Sequence, residues 1–366
     1  MATFIEQPNG KIRARIRKRG GRTASRTFET KTAARAWAAA EEGEIERGTW
    51  VNHAVADRHD FRPLMKEYRD EVLAKRRSPA PAISRANRFI EDLGHYRLSA
   101  VTAPVVADWR DGRAANGLGP GTILRELGLL GGFFSWVMRT KMIPLPANPV
   151  SNIAKPSAPP GRERRLKDQE EDWILYAMKD ASHESGGGKR KGNYRRGTRN
   201  PVMQKVLLFA LEAAMREAEL AGLEREFVDL KRRVAHLPGS ITKNGEARDV
   251  PLSTKAVEIL KELGLETDRD GKVFGVTASA ISQSMTRTIR RARQLYVQEC
   301  EKQGVPPVKG FLEDLVFHDM RHESTSRVAN KLPNVIELAS MTGHKDLRML
   351  KRYYHPKAED LAKKLG

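Results

Sequence analysis

Six of the chain's 19 prolines fall between Pro144 and Pro160, in PLPANPVSNIAKPSAPP. Proline lacks a backbone N–H and disfavours helix in the residue before it. Such a stretch predicts an extended linker and a domain boundary. With 366 residues the chain is also too long for one ordinary core, so two or three domains are expected.

Lys and Arg number 66 against 46 Asp and Glu, a net charge of +20. That excess suits a polyanionic partner. Nucleic acid ranks before membrane because the chain has no long apolar run. A basic surface serving only solubility is credible at a charge of a few units and less so at +20. Cys300 is the only cysteine, which excludes an intramolecular disulfide and a Cys-based zinc site and fits a reducing cytosol. The N-terminal residues carry no apolar run of the secretory type. A soluble, cytoplasmic protein is expected.

Residues 11–17, KIRARIR, alternate strictly: Lys11, Arg13, Arg15 and Arg17 on one side, Ile12, Ala14 and Ile16 on the other. A period of two predicts a strand with one apolar and one cationic face, and four basic residues in register favour DNA contact over a merely solvated face. A Gly-Gly turn and a second strand follow. A helix capped by Thr30 or Thr32 then turns Ala34, Trp37 and Ala38 inward and ends near Gly48. Residues 61–142 are helical in pattern, with stripes at Leu64, Tyr68, Val72 and Leu73, at Ile83, Phe89, Ile90 and Leu93, and at Leu124, Leu127, Leu130, Phe134 and Val137. Arg125, Arg139 and Lys141 are left off the last stripe and are candidates for DNA contact, although such residues alone are usually just solvated. The Gly-rich segment 186–200, GGGKRKGNYRRGTRN, carries Lys189, Arg190 and Arg195. It reads as a loop of the last domain, either an unstructured insertion or one ordered on DNA.

Three clusters carry candidate chemistry. In LLFALEAAMREAELAGL, a helical run, Arg216 stands among apolar and small residues. A buried guanidinium needs an anionic partner because it does not neutralise by losing a proton. The plain reading is a salt bridge to Glu212, Glu217 or Glu219. In RVAHLPGSITKNGEARDVPLS the pattern alternates around Asn244-Gly245, a strong hairpin signal, so Lys243 would ride at the tip of a β-hairpin. In the third cluster His318 and Arg321 are three apart and share a helix face. Gly343-His344 opens a further helix that Pro356 closes. At about 100° per residue, Leu347, Leu350 and Tyr354 share one stripe, which makes Tyr354 the packing tyrosine. Tyr353, on the flank by Met349, is freer to reach a ligand.

HDMRH also fits the spacing of a helical zinc motif, with His318 and His322 as ligands, Asp319 in the place of its glutamate and His344 or Glu337 as a third ligand. Arg321 would then put a fixed positive charge beside the cation, and Asp is a shorter base than Glu. Metal is not expected.

Arg216, TKNG with Lys243, HDMRH with His318 and Arg321, TGHKDL with His344 and RYYH with Tyr353 together resemble the tyrosine recombinase family, of the phage integrase type. The order is the family's: Arg, Lys, His-x-x-Arg, His, Tyr. Its closing pattern has Gly-His, eight residues, then Tyr, one residue and His. Here Gly343-His344, residues 345–352, Tyr353 and His355 follow it, which also assigns Tyr353 as the nucleophile. The segments GRERRL, VAHLPGSITKNGEARDVPLS and MLKRYYH look most like the subgroup of shufflon-specific recombinases, whereas the extra N-terminal module fits element integrases better.

The resemblance implies a multidomain fold, mainly α with α+β. An arm-type DNA-binding module of sheet plus helix (1–52) precedes an all-α core-binding domain (60–150), the Pro-rich linker (151–165) and a mostly helical catalytic domain with a small antiparallel sheet (166–366). It implies cleavage and rejoining of double-stranded DNA through a 3′-phosphotyrosine. Arg216 and Arg321 would stabilise the phosphorane, His344 would add a hydrogen bond, His318 would be the base and Lys243 the general acid. No cofactor, ATP or metal is required. A monomer when free, a tetramer on two DNA sites and a DNA-bending accessory protein are expected. The alternatives are an invertase of the same family, a type IB topoisomerase, and a non-catalytic DNA-binding protein with the same fold.

Overall fold

The computed structural model describes residues 2–18, 22–46, 53–179, 200–332, 334–354 and 362. The chain forms two compact units, Met1–Gly161 and Arg162–Gly366. Their division follows Gly161, just past the proline-rich stretch that ends at Pro160. Lys189, Arg190 and Arg195, Gly48, Pro356 and nearly all of the last twelve residues lie outside the described residues.

The first unit begins with a three-stranded antiparallel sheet, β1 (Ala2–Glu6), β2 (Ile12–Lys18) and β3 (Arg22–Phe28), with β2 in the centre. The alternation read from the sequence is the register seen. Ala14 and Ile16 are buried, and Arg13, Arg15 and Arg17 are exposed. Arg13 lies across from Thr27 and Arg15 from Ser25. Lys11 is not free on this face: its ammonium is 2.5 Å from Glu29. Helix α1 (Lys31–Glu46) covers the apolar side with Ala34 and Ala38, and the Thr30 hydroxyl accepts from the amide of Ala33.

Five helices follow: α2 (His53–Ala56), α3 (Phe61–Tyr68), α4 (Ala80–Asp92), α5 (Ala103–Ala115) and α6 (Pro120–Arg139). Pro120 opens α6 where its missing N–H costs nothing. Leu127, Leu130, Phe134 and Val137 of the expected stripe are buried; Leu124 is only half-buried, and Ile123 takes its place in the core. Arg125 and Arg139 are exposed. Lys141 differs from both, because it pairs with Glu67, lies 3.6 Å from Glu71 and stands over the Trp136 ring.

The second unit runs α7 (Glu170–Met178), α8 (Val202–Ala213), α9 (Glu217–Gly222), β4 (Val228–Asp229), β5 (Val234–Leu237), β6 (Arg248–Pro251), α10 (Thr254–Glu262), α11 (Ala278–Gln303), α12 (Phe317–Lys331) and α13 (Val335–Thr342). The small sheet has the order β4-β5-β6, and β5 and β6 pair from Val234–Pro251 to Leu237–Arg248. Phe209, Leu220, Leu223, Leu237, Val250, Leu260 and Met320 contribute to one core in which the helices enclose the sheet's apolar face. Mainly helical with small antiparallel sheets, this is the architecture expected.

Three local expectations are corrected. The run around Arg216 is not one helix: α8 stops at Ala213, Ala214 takes φ 50°, and Arg216 is extended at the start of α9. The Asn-Gly pair does not make a two-residue hairpin, since residues 238–247 separate the strands. That loop folds on itself. A Cβ on Gly239 would meet the Gly245 carbonyl at 2.3 Å, and the Thr242 hydroxyl reaches the carbonyl of Glu246 at 2.8 Å. Lys243 is nonetheless exposed near its tip. Finally, His344 does not open a helix. Gly343, at φ 69°, ends α13 in the left-handed conformation that glycine supplies at little cost. Two 3-10 turns, Leu347–Met349 and Lys351–Tyr353, then carry the chain onward.

Candidate active site

The site grows from breaks between elements. The left-handed turn at Ala214 frees that residue's carbonyl from helical pairing, and Arg321 on α12 donates to it at 2.5 Å and to the carbonyl of Thr342 at 2.6 Å. Arg321 is 5% exposed, so these bonds fix a guanidinium that water barely reaches. Arg216, at the N-terminus of α9, gives its amide to Glu219 at 2.8 Å and its guanidinium to the same carboxylate at 2.9 Å. It also reaches the carbonyl of Gly343 at 3.4 Å. Of the three carboxylates open to Arg216 in the sequence, Glu219 is the one it pairs with.

A third arginine was not singled out from the sequence. Arg248, on β6, forks onto Glu219 at 2.9 and 2.7 Å and donates to the carbonyl of Met341. Its guanidinium lies 3.1 to 3.2 Å from where a Cβ on Gly343 would sit, so Gly343 serves the turn and the close approach together. Arg321 stands 3.9 Å from the same carboxylate. Burial pushes the Glu219 carboxyl up, but hydrogen bonds and charge from Arg248 and Arg216 outweigh it and hold the group at about 2. Burial and the neighbouring Arg216 bring Arg321 down to about 9, against the pull of Glu219, so it remains a cation at neutral pH.

His344 follows directly. Its Nδ1 is 2.7 Å from the Thr342 hydroxyl, which itself gives its hydrogen to the carbonyl of Leu338 at 2.6 Å. The ring N–H must then be the donor to Thr342, which fixes the tautomer and leaves Nε2 for a ligand. Burial, then the charges of Arg321 and Arg216, push His344 down to about 4. Arg216, Asn244, Arg248, Ser340, His344 and Lys345 help to line a cleft of about 540 Å³. The loop bearing Lys243 is tied beside it by a 2.6 Å pair between Glu246 and Lys345.

The two tyrosines are sorted by contacts rather than by a helical wheel. Both pack against the cluster of Ala329, Leu338, Ala339 and Leu350. Tyr354 gives its hydroxyl to the carbonyl of Leu332 at 2.7 Å. The Tyr353 hydroxyl lies 2.5 Å from Nδ1 of His322, and the two rings stack at 29°. Burial raises the Tyr353 phenol, and Arg352, Arg321 and Arg165 oppose the rise. His318, assigned the base from the sequence, is one turn earlier on α12 and meets His322 edge-on at 4.9 Å. Burial lowers it first, then Arg321, with Arg216 and Lys243 adding to the effect. His322 was weighed only as a zinc ligand. Its place one residue past Arg321 gives no periodic signal for a contact with residue 353.

The first turn of α12 is held from outside the helix. Asp319 is fully buried, takes a fork from Arg162 at 2.6 and 2.8 Å and accepts from the amide of Val316 at 2.8 Å. Both its oxygens are committed, so the helical zinc arrangement has lost its base. Arg162 also pairs with Asp314 at 3.1 Å, and its carbonyl accepts from Arg352, the neighbour of Tyr353. Arg165 reaches Glu323 on the same helix at 3.2 Å. The segment GRERRL thus ties α12 to the tyrosine's turn.

Two arginines presenting a fork, a fixed imidazole, a lysine on a loop and a tyrosine within the same unit make a site suited to phosphoryl transfer onto a phenol. Residues 194–360 match the phage integrase family. A shufflon-specific DNA recombinase of Escherichia coli is 34% identical over 277 residues, 73% of this chain and 61% of that protein. A Haemophilus influenzae protein assigned as an integrase/recombinase is 30% identical over 99% of this chain and 88% of its own length. Among solved structures, a lambda integrase tetramer bound to a Holliday junction superposes with a TM-score of 0.62 at 14% identity, covering 96% of this chain and 94% of that one. The Tn1549 transposon integrase bound to circular-intermediate DNA gives 0.59 at 16% identity, covering 84% and 99%. Those structures share the fold. The chain belongs to the phage integrase family of tyrosine recombinases.

Proposed function

We propose that this protein is a site-specific DNA recombinase that cleaves and rejoins duplex DNA with Tyr353 as nucleophile. The supporting observation is the assembly of Arg216, Arg321 and His344 around main-chain carbonyls and Glu219, in the same unit that brings Tyr353 against α12. The Tyr353 oxygen attacks the scissile phosphorus, the P–O5′ bond breaks, and a 3′-phosphotyrosine retains the ester. Charge building on the phosphorane meets Arg216 and Arg321; His344, whose Nδ1–H is spent on Thr342, donates from Nε2 only on taking a second proton. Lys243, exposed on its loop, gives the departing 5′ oxygen its proton. A second 5′ hydroxyl then reverses the step, so neither ATP nor metal is consumed.

The partner is double-stranded DNA, and the working form on two sites is a tetramer, as in the lambda integrase structure. Residues 1–52 are assigned to arm-type DNA, 60–150 to core DNA and 166–366 to catalysis. The exposed guanidiniums of Arg13, Arg15 and Arg17 support the first assignment. That module favours the integrase of a phage or genomic island. The 34% identity to the shufflon recombinase favours inversion as the second reading. Action on DNA supports a cytoplasmic, nucleoid-associated protein as part of this reading.

Covalent trapping tests the proposal. Nicked duplexes from the DNA flanking the coding sequence are incubated with protein and resolved on a denaturing gel. Wild type and Tyr354→Phe should form an adduct, and Tyr353→Phe should bind the same DNA without one. An adduct from Tyr353→Phe would refute the assignment.

A further inference from the structure

We infer that His322, and not His318, takes the proton from the Tyr353 hydroxyl as the tyrosine attacks. This rests on the recombinase reading and adds a catalytic residue to it. His322 is the ring in contact with the reacting oxygen, 2.5 Å from Nδ1 and stacked with the phenol. His318 touches His322 instead, at 4.9 Å between centroids.

The surroundings keep the ring neutral and able to accept a proton, while weakening it as a base. His322 faces His318, Asp319 and Arg321 from its own helix, Arg352 and Tyr353 from the last 3-10 turn, and His344 beyond α13. Burial, then His318, brings His322 down to about 4; Asp319 alone opposes, and Arg352 and Arg321 add to the lowering. The ring is therefore neutral at pH 7. The phenol is also protonated, and with the ring proton on Nε2 its O–H donates to the Nδ1 lone pair, the arrangement this inference requires. A neutral base already hydrogen-bonded to its acid meets the first geometric requirement for general-base catalysis.

The step balances without a further reagent. The O–H bond of Tyr353 breaks, Nδ1 gains the proton, and the phenolate oxygen forms the bond to phosphorus. The imidazolium is attracted by Asp319, whose charge Arg162 holds in place. On the return step the proton goes back to the departing phenolate. His322 thus serves cleavage and rejoining without exchanging a proton with solvent.

The test removes the other proton transfer. The duplex identified by trapping is made with a 5′-bridging phosphorothiolate at the scissile bond, so the leaving thiolate needs no general acid. Single-turnover adduct formation is followed from pH 6 to 9. Wild type should be nearly flat. His322→Ala should fall by about 10²–10⁴-fold, rise about tenfold per pH unit as hydroxide replaces the base, and recover with added imidazole. His318→Ala should keep the wild-type shape. His322→Asn, which leaves an acceptor for the hydroxyl but no base, should keep its fold and show the same rise.

A flat profile in His322→Asn at the wild-type rate would make the residue a positioning group and overturn the inference. A pH rise in His318→Ala, with His322→Ala flat, would transfer the role to His318. Either result leaves the recombinase reading standing so long as Tyr353→Phe yields no adduct. An adduct from Tyr353→Phe would instead bring down the underlying reading.

Discussion

Arg13, Arg15 and Arg17 stand along the exposed face of β2, where Arg13 reaches Ser25 at 3.4 Å. Arg216, Arg248 and Arg321 crowd around one fully buried carboxylate, Glu219, and spend further donors on the carbonyls of Ala214, Met341, Thr342 and Gly343. The first set is bathed in salt water, so its interactions are screened and close to additive. The second set is shielded and shares a partner, so changing one member alters what the others feel. The same side chain serves as an adaptable cation in one place and as a fixed dipole-bound fork in the other.

The largest test of this contrast is Arg321→Ala. On the scale of one oxyanion donor it should slow adduct formation by about 10²–10³-fold, with duplex binding within a few-fold of wild type. A variant cleaving at the wild-type rate would dissolve the distinction. Next is Glu219→Gln, which keeps the shape and removes the charge that three guanidiniums share. Breaking a buried pair by removing one partner costs about 3–5 kcal/mol, and denaturant unfolding should show a loss of that order. Arg15→Ala should leave the midpoint almost unmoved.

A smaller effect is expected from pH. His318, His322 and His344 are all held below the ordinary histidine value, the last two at about 4. Between about 6.5 and about 4 the unfolded chain takes up protons that the folded one refuses, so stability should fall as pH drops through that window. Glu219 works in the same sense at lower pH: its contribution is complete above its unfolded value and is lost as pH falls through about 2. Thermal unfolding at pH 7 and pH 5 measures the histidine part, and His344→Gln should reduce the difference. The smallest effect belongs to β2. Arg13→Ala and Arg15→Ala should each lower the slope of log affinity against log salt by about 0.9 on arm-type DNA, with cleavage of a bound core duplex unchanged.

The face of β2 was legible because a strand's period of two depends on neighbours in sequence alone. The stripe of α6 was legible for the same reason. The identities of Arg216, Arg321, His344 and Tyr353 came from ordered motifs, and the structure gathers them within one unit. Their partners were another matter. Arg248 meets Glu219 across 29 positions of sequence, and Arg162 meets Asp319 across 157, distances at which no local pattern operates. The helix expected after His344 failed because Gly343 terminates α13 in a left-handed turn and Asp346 caps a short 3-10 turn instead. A helical wheel over residues 344–356 reaches Tyr353 through a geometry that the chain does not adopt. His322 is visible in the sequence, but a ring that follows an arginine carries no sign of which side chain folds back onto it.

Tyr354 limits what its neighbour can do. Its hydroxyl is clipped to Leu332, Leu350 is fully buried against α12 and α13, and the two sites bracket Tyr353 within five residues of chain. A segment pinned at both ends can rotate its central side chain but cannot swing it across to another molecule. With Tyr353 as the proposed nucleophile, this predicts its delivery to the arginines of its own subunit, in cis. In a mixed assembly, a Tyr353→Phe chain and an Arg321→Ala chain would have no means of completing one another.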